Sequence, residues 1–479
     1  MYEISNSEIT FNVAVIFLLI WSIIVTGIRY GKRVSDIKSY AISNNYFNST
    51  ALICTIAASF IGGGLIIGNA ENCYQEGIWY TFAIFGFAFN LIFTGIFVAP
   101  RIEKFKGCLS VGDMLEAYYG RNAKILAGIT WLMFCTGMII AQTSAISRVF
   151  SIFLDWPMSL NAIVGVGVVV AYSYFGGIRS VVATDVLQFA IMIIAIPMCL
   201  YFALDTVGGL AVVKEKIPVT HLEFFSNVSP LKFTSIFLSF FIADALVPPI
   251  LQRMLMATTA KKARTSMIVS GLVVFLLCGI SGMFGLVTYA LNPNLEHQQL
   301  MPYLFDTTLP AVFKGIAISG LIAVIMSTAD SYLNSASIAL AHDIIKPCSK
   351  KEISETVELK IAKRTTILIG CVAVLSNMAF NNITSILLAT YGTWGPSLLA
   401  IVAGVIFNKK IPIWGFYTCF ISGMLVKTVW GYIPQLSAHI SGLMPGVITN
   451  ISLFIIIYLI YGENKTENET KEILKKINN

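Results

Sequence analysis

Apolar residues in this chain fall in long runs, and polar residues collect in short stretches between them. Each run approaches the roughly 20 residues that a helix needs to cross about 30 Å of hydrocarbon. About thirteen such runs can be read. They centre on 11–27, 50–68, 80–98, 125–153, 160–175, 182–203, 233–256, 267–291, 311–341, 362–380, 383–407, 414–430 and 447–461. The pattern predicts an all-α polytopic membrane protein with about thirteen transmembrane helices. No small-residue cleavage site closely follows the first run, 11–27, so a retained peripheral helix is expected rather than a signal peptide.

Two runs break the ordinary pattern, and they lie about five spans apart. In "ALICTIAASFIGGGLIIGNAENCYQEG", Gly62, Gly63 and Gly64 stand at mid-span. Each costs about 1 kcal/mol of helix propensity relative to Ala, so the helix is easily interrupted there. In "SIFLSFFIADALVPPILQRMLMA", Pro248 and Pro249 sit near the middle with Asp244 just before them. Proline removes an amide donor and restricts its predecessor, so this span should also break or kink. Unwound backbone at bilayer depth is tolerated where it is buried or lines a cavity. Interrupted spans at corresponding places in two halves point to the binding site of an inverted-repeat transporter. The plainer alternative is glycine for close packing and proline for a kink.

A third irregularity is one of polarity. The stretch "LIAVIMSTADSYLNSAS", 321–337, begins as a membrane helix and then carries Ser327, Thr328, Asp330, Ser331, Asn334, Ser335 and Ser337. Residues three and four apart share a helix face, so the Val324 carbonyl, Ser327, Thr328, Asp330 and Ser331 form adjoining groups of oxygen. Oxygen ligands without a soft donor suit a hard cation such as sodium. Hydroxyls bonding back to the preceding turn are the alternative, but an ionisable Asp330 inside a span is functional by default. Asp185, in "YFGGIRSVVATDVLQFAIMI", is a second acidic candidate near one end of its span, with a helix-capping role for Thr184 or Asp185 as its alternative.

Composition agrees with the membrane reading. The 479 residues are 56% hydrophobic and 12% charged, with a mean hydropathy of +0.78. The net charge of +7 sits in loops rather than on an acidic-partner surface, so no nucleic-acid partner is expected. Arg29, Lys32, Arg33 and Lys38; Arg101, Lys104 and Lys106; Arg179; Lys261, Lys262 and Arg264; Lys350, Lys351, Lys360, Lys363 and Arg364; and Lys409 and Lys410 fall on one side. That side is expected to be cytoplasmic, with the N-terminus outside and the tail inside. The opposite loops are poorer in basic residues, although Lys214 and Lys216 lie there. The nine cysteines show no Cys-x-x-Cys pair, so neither a zinc site nor a disulfide scaffold is indicated. No nucleophile, metal or phosphate constellation suggests an enzyme.

These elements together resemble the sodium:solute symporter family, over nearly the whole chain. The similarity rests on the glycine-rich broken helix before "ENCYQEG", "GGIRSVVATDVLQ", "PPILQRMLMA", "STADSYLNSAS" and "YGTWGPSLLA" at 391–400. The resemblance implies a LeuT-like five-plus-five inverted repeat with two broken helices. One transporter domain would occupy 1–462, with repeats near 45–205 and 230–407, additional spans in 411–461 and a cytoplasmic tail at 463–479. It implies a main sodium site at the backbone carbonyls of Ala58, Ile61 and Val324 and the hydroxyls of Ser327 and Thr328. A second sodium would use Asp185, Asp330 and Ser331; some relatives have serine where this chain has Asp330.

The family's substrate position falls here near Phe60, Gly62, Leu65, Asp244 and Val247, with Met138 and Gln142. Asp244 stands where proline carriers have an aromatic gate, and a carboxylate there would favour an amino-bearing solute, unless it pairs with Arg253. Choline carriers use tryptophans where this chain has Phe60 and Val247, which departs from a cation–π cage. Glu71 could serve as an outer gate or pack on a loop. The expectation is a sodium-coupled symporter that imports an amino acid or amine by alternating access in the plasma membrane, the inner membrane if bacterial. Carriage of a sugar or carboxylate such as sialic acid or pantothenate is the alternative. A channel would need a continuous pore and a filter, and a sensor an attached signalling domain. The solute, lipid bilayer and sodium are the expected partners; oligomeric state is left open.

Overall fold

Helices cover the apolar runs, and the interruptions fall where the glycines and prolines stand. The computed structural model describes residues 6–32, 34–43, 47–151, 156–226, 228–379, 383–433, 435, 440–465, 469 and 472. Arg33 and most of the expected tail at 463–479 lie outside the described residues, as do positions 152–153 and 380 at the ends of two predicted runs.

In chain order the principal helices are α1 (Asn6–Gly31), α2 (Ser49–Phe60), α3 (Gly64–Glu76), α4 (Ile78–Phe105), α5 (Val111–Tyr119), α6 (Arg121–Ser151), α7 (Met158–Gly176) and α8 (Ile178–Val207). They continue as α9 (Pro230–Ala243), α10 (Pro248–Met256), α11 (Ala260–Leu291), α12 (Ala311–Cys348), α13 (Glu355–Ala379), α14 (Ile383–Ile406), α15 (Ile413–Gly431) and α16 (Leu443–Tyr461). Among the described residues, eight helices are long and apolar enough to cross a membrane, and the bent pair α2 and α3 makes up to nine. The remaining predicted spans lie on α9 with α10, α13, α14 and α15. A two-residue ribbon pairs Lys409–Lys410 antiparallel with Glu463–Asn464.

Local chemistry explains both breaks. Asn48 caps α2 by accepting from the Ala51 amide at 2.9 Å. The helix ends at Ile61, whose φ of −87° and ψ of 93° are extended, and the chain resumes as α3 bent by 59°. In the second break, α9 stops at Ala243 and α10 starts at Pro248. The prolines do not kink a continuous helix. They occupy the first turn of α10, where the missing amide would have had no intrahelical acceptor. Between the halves Leu246 takes φ +58°, a left-handed conformation that a side chain adopts only when its surroundings hold it.

α12 runs through the middle of the bundle, buried at nearly every position from Gly315 to Ala339, and packs on α1, α2, α6, α8 and α13. Its hydroxyls therefore face protein. Apolar side chains such as Phe17, Leu276, Leu375 and Leu459 point outward, as a bilayer requires. The turn from α7 into α8 is a single residue, Gly177 at φ +50°, and a Cβ there would come within 2.6 Å of Tyr40. This is the "GG" of the motif before Asp185, and it fixes where α8 starts. Seven of the nine cysteines are buried and all nine are free.

Candidate functional site

The carbonyls at the end of α2 have no intrahelical partners, and the chain turns away at Ile61. Two hydroxyls of α12 meet them. Ser327 Oγ donates to Ala58 O at 2.9 Å and to Val324 O at 3.1 Å. Thr328 Oγ1 donates to Ile61 O at 3.2 Å and to Val324 O at 3.3 Å. The structure thus gathers all the oxygens expected for the main sodium site, every one on a buried residue. The set holds carbonyls and hydroxyls only, and it lies at the negative end of a half-helix, which suits a hard monovalent cation.

Glycine makes the approach possible. A Cβ on Gly62 would lie 3.2 Å from both Thr328 Oγ1 and Gln142 Nε2, and one on Gly63 3.2 Å from Ile325. The break is therefore a sequence requirement for bringing α2 against α12 and α6.

A second polar group lies one turn along α12. Asp185 is fully buried and lies inside α8, whose N-cap is Gly177, so it is not a cap, and Thr184 bonds back to Ser180 O and Val181 O at 3.0 and 2.9 Å. Asp185 Oδ2 accepts a short hydrogen bond from Thr55 and faces the Arg253 guanidinium at 3.4 Å. Arg253 Nη2 also donates to Ser59 Oγ and Ser331 Oγ, each at 2.6 Å. Asp330 Oδ2 instead accepts from the Tyr172 hydroxyl at 2.6 Å, with Thr184 at 3.5 Å, and its other oxygen accepts from Ser331 at 3.2 Å. The residues expected to share a second sodium are neighbours, but Asp185 and Ser331 hold an arginine and Asp330 turns to Tyr172.

The expected substrate residues fall into three groups. Gly62 and Gln142 adjoin Thr328, and Gln142 Oε1 accepts from the Gly63 amide at 3.4 Å. Phe60 stacks edge-on with Phe87 at 5.7 Å, while Leu65 and Met138 are buried in the same apolar core. Val247 and Asp244 lie in the second break, where Asp244 Oδ1 accepts from the Tyr332 hydroxyl at 3.5 Å. Asp244 is buried and does not pair with Arg253, whose carboxylate is Asp185. Tyr332 lies one turn beyond Thr328 on α12, and its ring sits 5.9 Å from that of Phe134. Trp394 donates Nε1 to Ala245 O at 3.0 Å, satisfying a carbonyl of the break. Glu71 is partly buried, in the first turn of the regular helix Asn69–Glu76.

Sequence reasoning missed two sets of residues. Thr55 and Ser59, at i and i+4 on α2, were legible as a hydroxyl face; they surround Arg253, which the sequence reading weighed only as a partner for Asp244. The other set lies at the basic end of the bundle. His342 bridges Glu358 at 2.5 Å and Asp113 at 2.8 Å. Lys124 Nζ donates to Asp113 at 2.7 Å and Glu116 at 2.8 Å, and Lys346 to Glu358 at 2.8 Å. Burial alone would raise the Asp113 carboxyl, but His342 and Lys124 outweigh it and hold it below the usual carboxylate range. Asp113, His342 and Asp343 approach closely enough for a metal. Both His342 nitrogens and Asp113 are already engaged, however, so the arrangement reads as an ion-pair clamp joining α5, α6, α12 and α13.

A helical membrane bundle with two interrupted spans and an all-oxygen site between a broken helix and a continuous one defines a secondary carrier. The chain belongs to the sodium:solute symporter family, whose description matches residues 40–423. It is 24% identical over 446 residues to the high-affinity proline transporter PutP of Bacillus subtilis, covering 89% of this chain and 93% of that protein. It is 24% identical over 410 residues to the high-affinity choline transporter 1 of Drosophila melanogaster, covering 79% of this chain and 63% of that protein's length. The fold matches a sodium-coupled sialic acid symporter solved in a substrate-bound outward-open state, with a TM-score of 0.83 at 18% identity, covering 95% of this chain and 99% of that one. A nucleobase-cation-symport-1 family transporter in a closed conformation matches with a TM-score of 0.57 at 12% identity, covering 91% and 98%. The architecture is LeuT-like. As a member of that family the protein is a sodium-coupled symporter of small solutes, and sodium is its coupling ion.

Proposed function

We propose that this symporter imports a small amino-bearing solute, an amino acid or an amine, with one sodium held by Ala58, Ile61, Val324, Ser327 and Thr328. The observation that supports the ion assignment is the convergence of two hydroxyls and three carbonyls on one buried point between α2 and α12. An ion there ties the broken helix to the continuous one. It biases the carrier toward whichever state keeps those two elements together, and an ion that bound both states equally would drive nothing.

Asp244 supports the solute assignment. Its carboxylate is buried beside Tyr332, whereas Asp185 has Arg253 and Asp113 has Lys124 within ion-pair distance. A buried carboxylate without a cationic neighbour among the described residues is costly, and a positively charged nitrogen of the solute would relieve that cost. Proline and choline, named for two relatives, both carry such a nitrogen. Phe60, Gly62, Leu65, Met138, Gln142 and Val247 would line the rest of the path.

The loops rich in Lys and Arg would face the cytoplasm of a plasma or bacterial inner membrane, with the N-terminus outside and one transporter domain over 1–462. The test is uptake into proteoliposomes of labelled amino acids, choline, betaine, sugars and carboxylates, with sodium or potassium outside. Accumulation of a cationic or amino-bearing class only with inward sodium, lost in Ser327→Ala, is the expected result. Accumulation confined to sugars or carboxylates would overturn the solute assignment, and unchanged sodium activation in Ser327→Ala would overturn the ion site.

A further inference from the structure

The expected second ion site is lined by oxygens, and a side chain of the protein lies among them. Arg253, on α10, is 1% exposed, and Asp185, on α8, is 0% exposed. The guanidinium donates Nε to Thr55 Oγ1 at 2.9 Å and Nη1 to Pro249 O at 3.0 Å. Its Nη2 donates to Ser59 Oγ and Ser331 Oγ at 2.6 Å and lies 3.4 Å from Asp185 Oδ2. Three hydroxyls, one carbonyl and one carboxylate from α2, α8, α10 and α12 make a ligand set of the kind a sodium ion takes, with one charge added by Asp185.

A guanidinium does not lose its proton, so the charge is permanent. It is also bound covalently to a half-helix that begins at the second break. Asp330, the other acidic residue expected in this ion site, accepts from Tyr172. Asp185 Oδ1 has no hydrogen-bond partner among the described residues. Without the guanidinium, a buried carboxylate and its ring of hydroxyls would be left needing a cation of small radius.

We propose that Arg253 is the tethered cation of the second cation site. It neutralises Asp185 in place of a mobile ion, so that only the ion at Ser327 and Thr328 is exchangeable. This rests on the main sodium site proposed above. It also assigns Arg253 a specificity role, setting how many sodium ions accompany each solute.

The test is the number of radioactive sodium ions bound at saturation by the purified carrier, which needs no knowledge of the solute. One ion per chain is expected in the wild type, two in Arg253→Gln, and one again in Arg253→Gln/Asp185→Asn. A salt bridge that served only stability would leave the count unchanged. Two ions bound by the wild type, or one by a monodisperse Arg253→Gln, would overturn the proposal. Should Arg253→Gln fail to fold, the wild-type count still decides between one ion, which supports the assignment, and two, which refutes it. Ser327→Ala/Thr328→Val separates the two readings. Sodium persisting in that variant refutes the main site, while the comparison of wild type with Arg253→Gln still reports on Arg253.

Discussion

Thr328→Val is the sharpest perturbation of the ion site, because valine keeps the shape of threonine and replaces only the hydroxyl. Thr328 Oγ1 lies 3.2 Å from Ile61 O and 3.3 Å from Val324 O, so its loss removes one of the oxygens that converge between α2 and α12. The methyl that replaces it also points at two carbonyls. An interaction of a hydroxyl with a charged partner contributes about 1.5–3 kcal/mol, against roughly 1 kcal/mol for a neutral hydrogen bond. Sodium should therefore bind about 10- to 150-fold more weakly, at about 1.4 kcal/mol for each tenfold, while the fold loses little. The assay is thermal unfolding of the purified carrier across a sodium series, with potassium holding ionic strength constant. A ligand of the folded state raises the unfolding temperature once its concentration passes its dissociation constant. The sodium midpoint should move by at least tenfold relative to wild type, at a similar unfolding temperature without sodium. A midpoint within twofold of wild type would refute the reasoning and place the ion elsewhere.

Gly62→Ala places a Cβ 3.2 Å from Thr328 Oγ1 and should weaken the same sodium midpoint severalfold without touching a ligand atom; an unchanged midpoint would mean that the break is not tightly closed on α12. Lys124→Met should destabilise the bundle by about 1.5–3 kcal/mol, because Asp113 loses one of its two cationic partners and keeps His342, with the sodium midpoint unchanged; unfolding by detergent titration would measure it. Asp244→Asn should weaken uptake of an amino-bearing solute at least tenfold and leave sodium-dependent stabilisation in place, so equal apparent affinities in the two proteins would remove Asp244 from the solute path.

The membrane class and both breaks were legible because they are one-dimensional signals: run length, adjacent glycines, adjacent prolines. The oxygens of Ser327 and Thr328 were legible for a related reason, since helical periodicity places them on one face without further knowledge. Pro248 shows the limit of local reasoning. Its sequence context says that a helix is disturbed, and only the fold decides whether proline ends, kinks or starts one. Arg253 shows the larger limit. Its partners Asp185, Ser331 and Thr55 lie 68, 78 and 198 positions away, and no spacing rule couples such positions. The clamp of His342 on Asp113, across 229 positions, was hidden for the same reason. Charge in a membrane span can be flagged from sequence as needing a partner, but which partner it finds is a property of packing.

The two oxygen clusters differ in a way that bears on the transport cycle. Ser327 and Thr328 donate to Ala58, Ile61 and Val324, the same carbonyls proposed to hold the ion, so the site can satisfy its own polar groups. Sodium binding then exchanges neutral hydrogen bonds for ion contacts, and its release leaves no buried group stranded. That reversibility is what a carrier needs, because it must return after discharging its cargo as readily as it moved while loaded. Around Asp185 the balance is different. Its carboxylate loses its charge partner if the cation leaves, and an unpaired buried charge would hold the cation tightly or block the return. A cation attached to the chain removes that penalty from the cycle, because Arg253 can shift with α10 but cannot dissociate. Coupling would then be confined to the neutral site, where binding is weak enough to reverse and strong enough to bias α2 against α12.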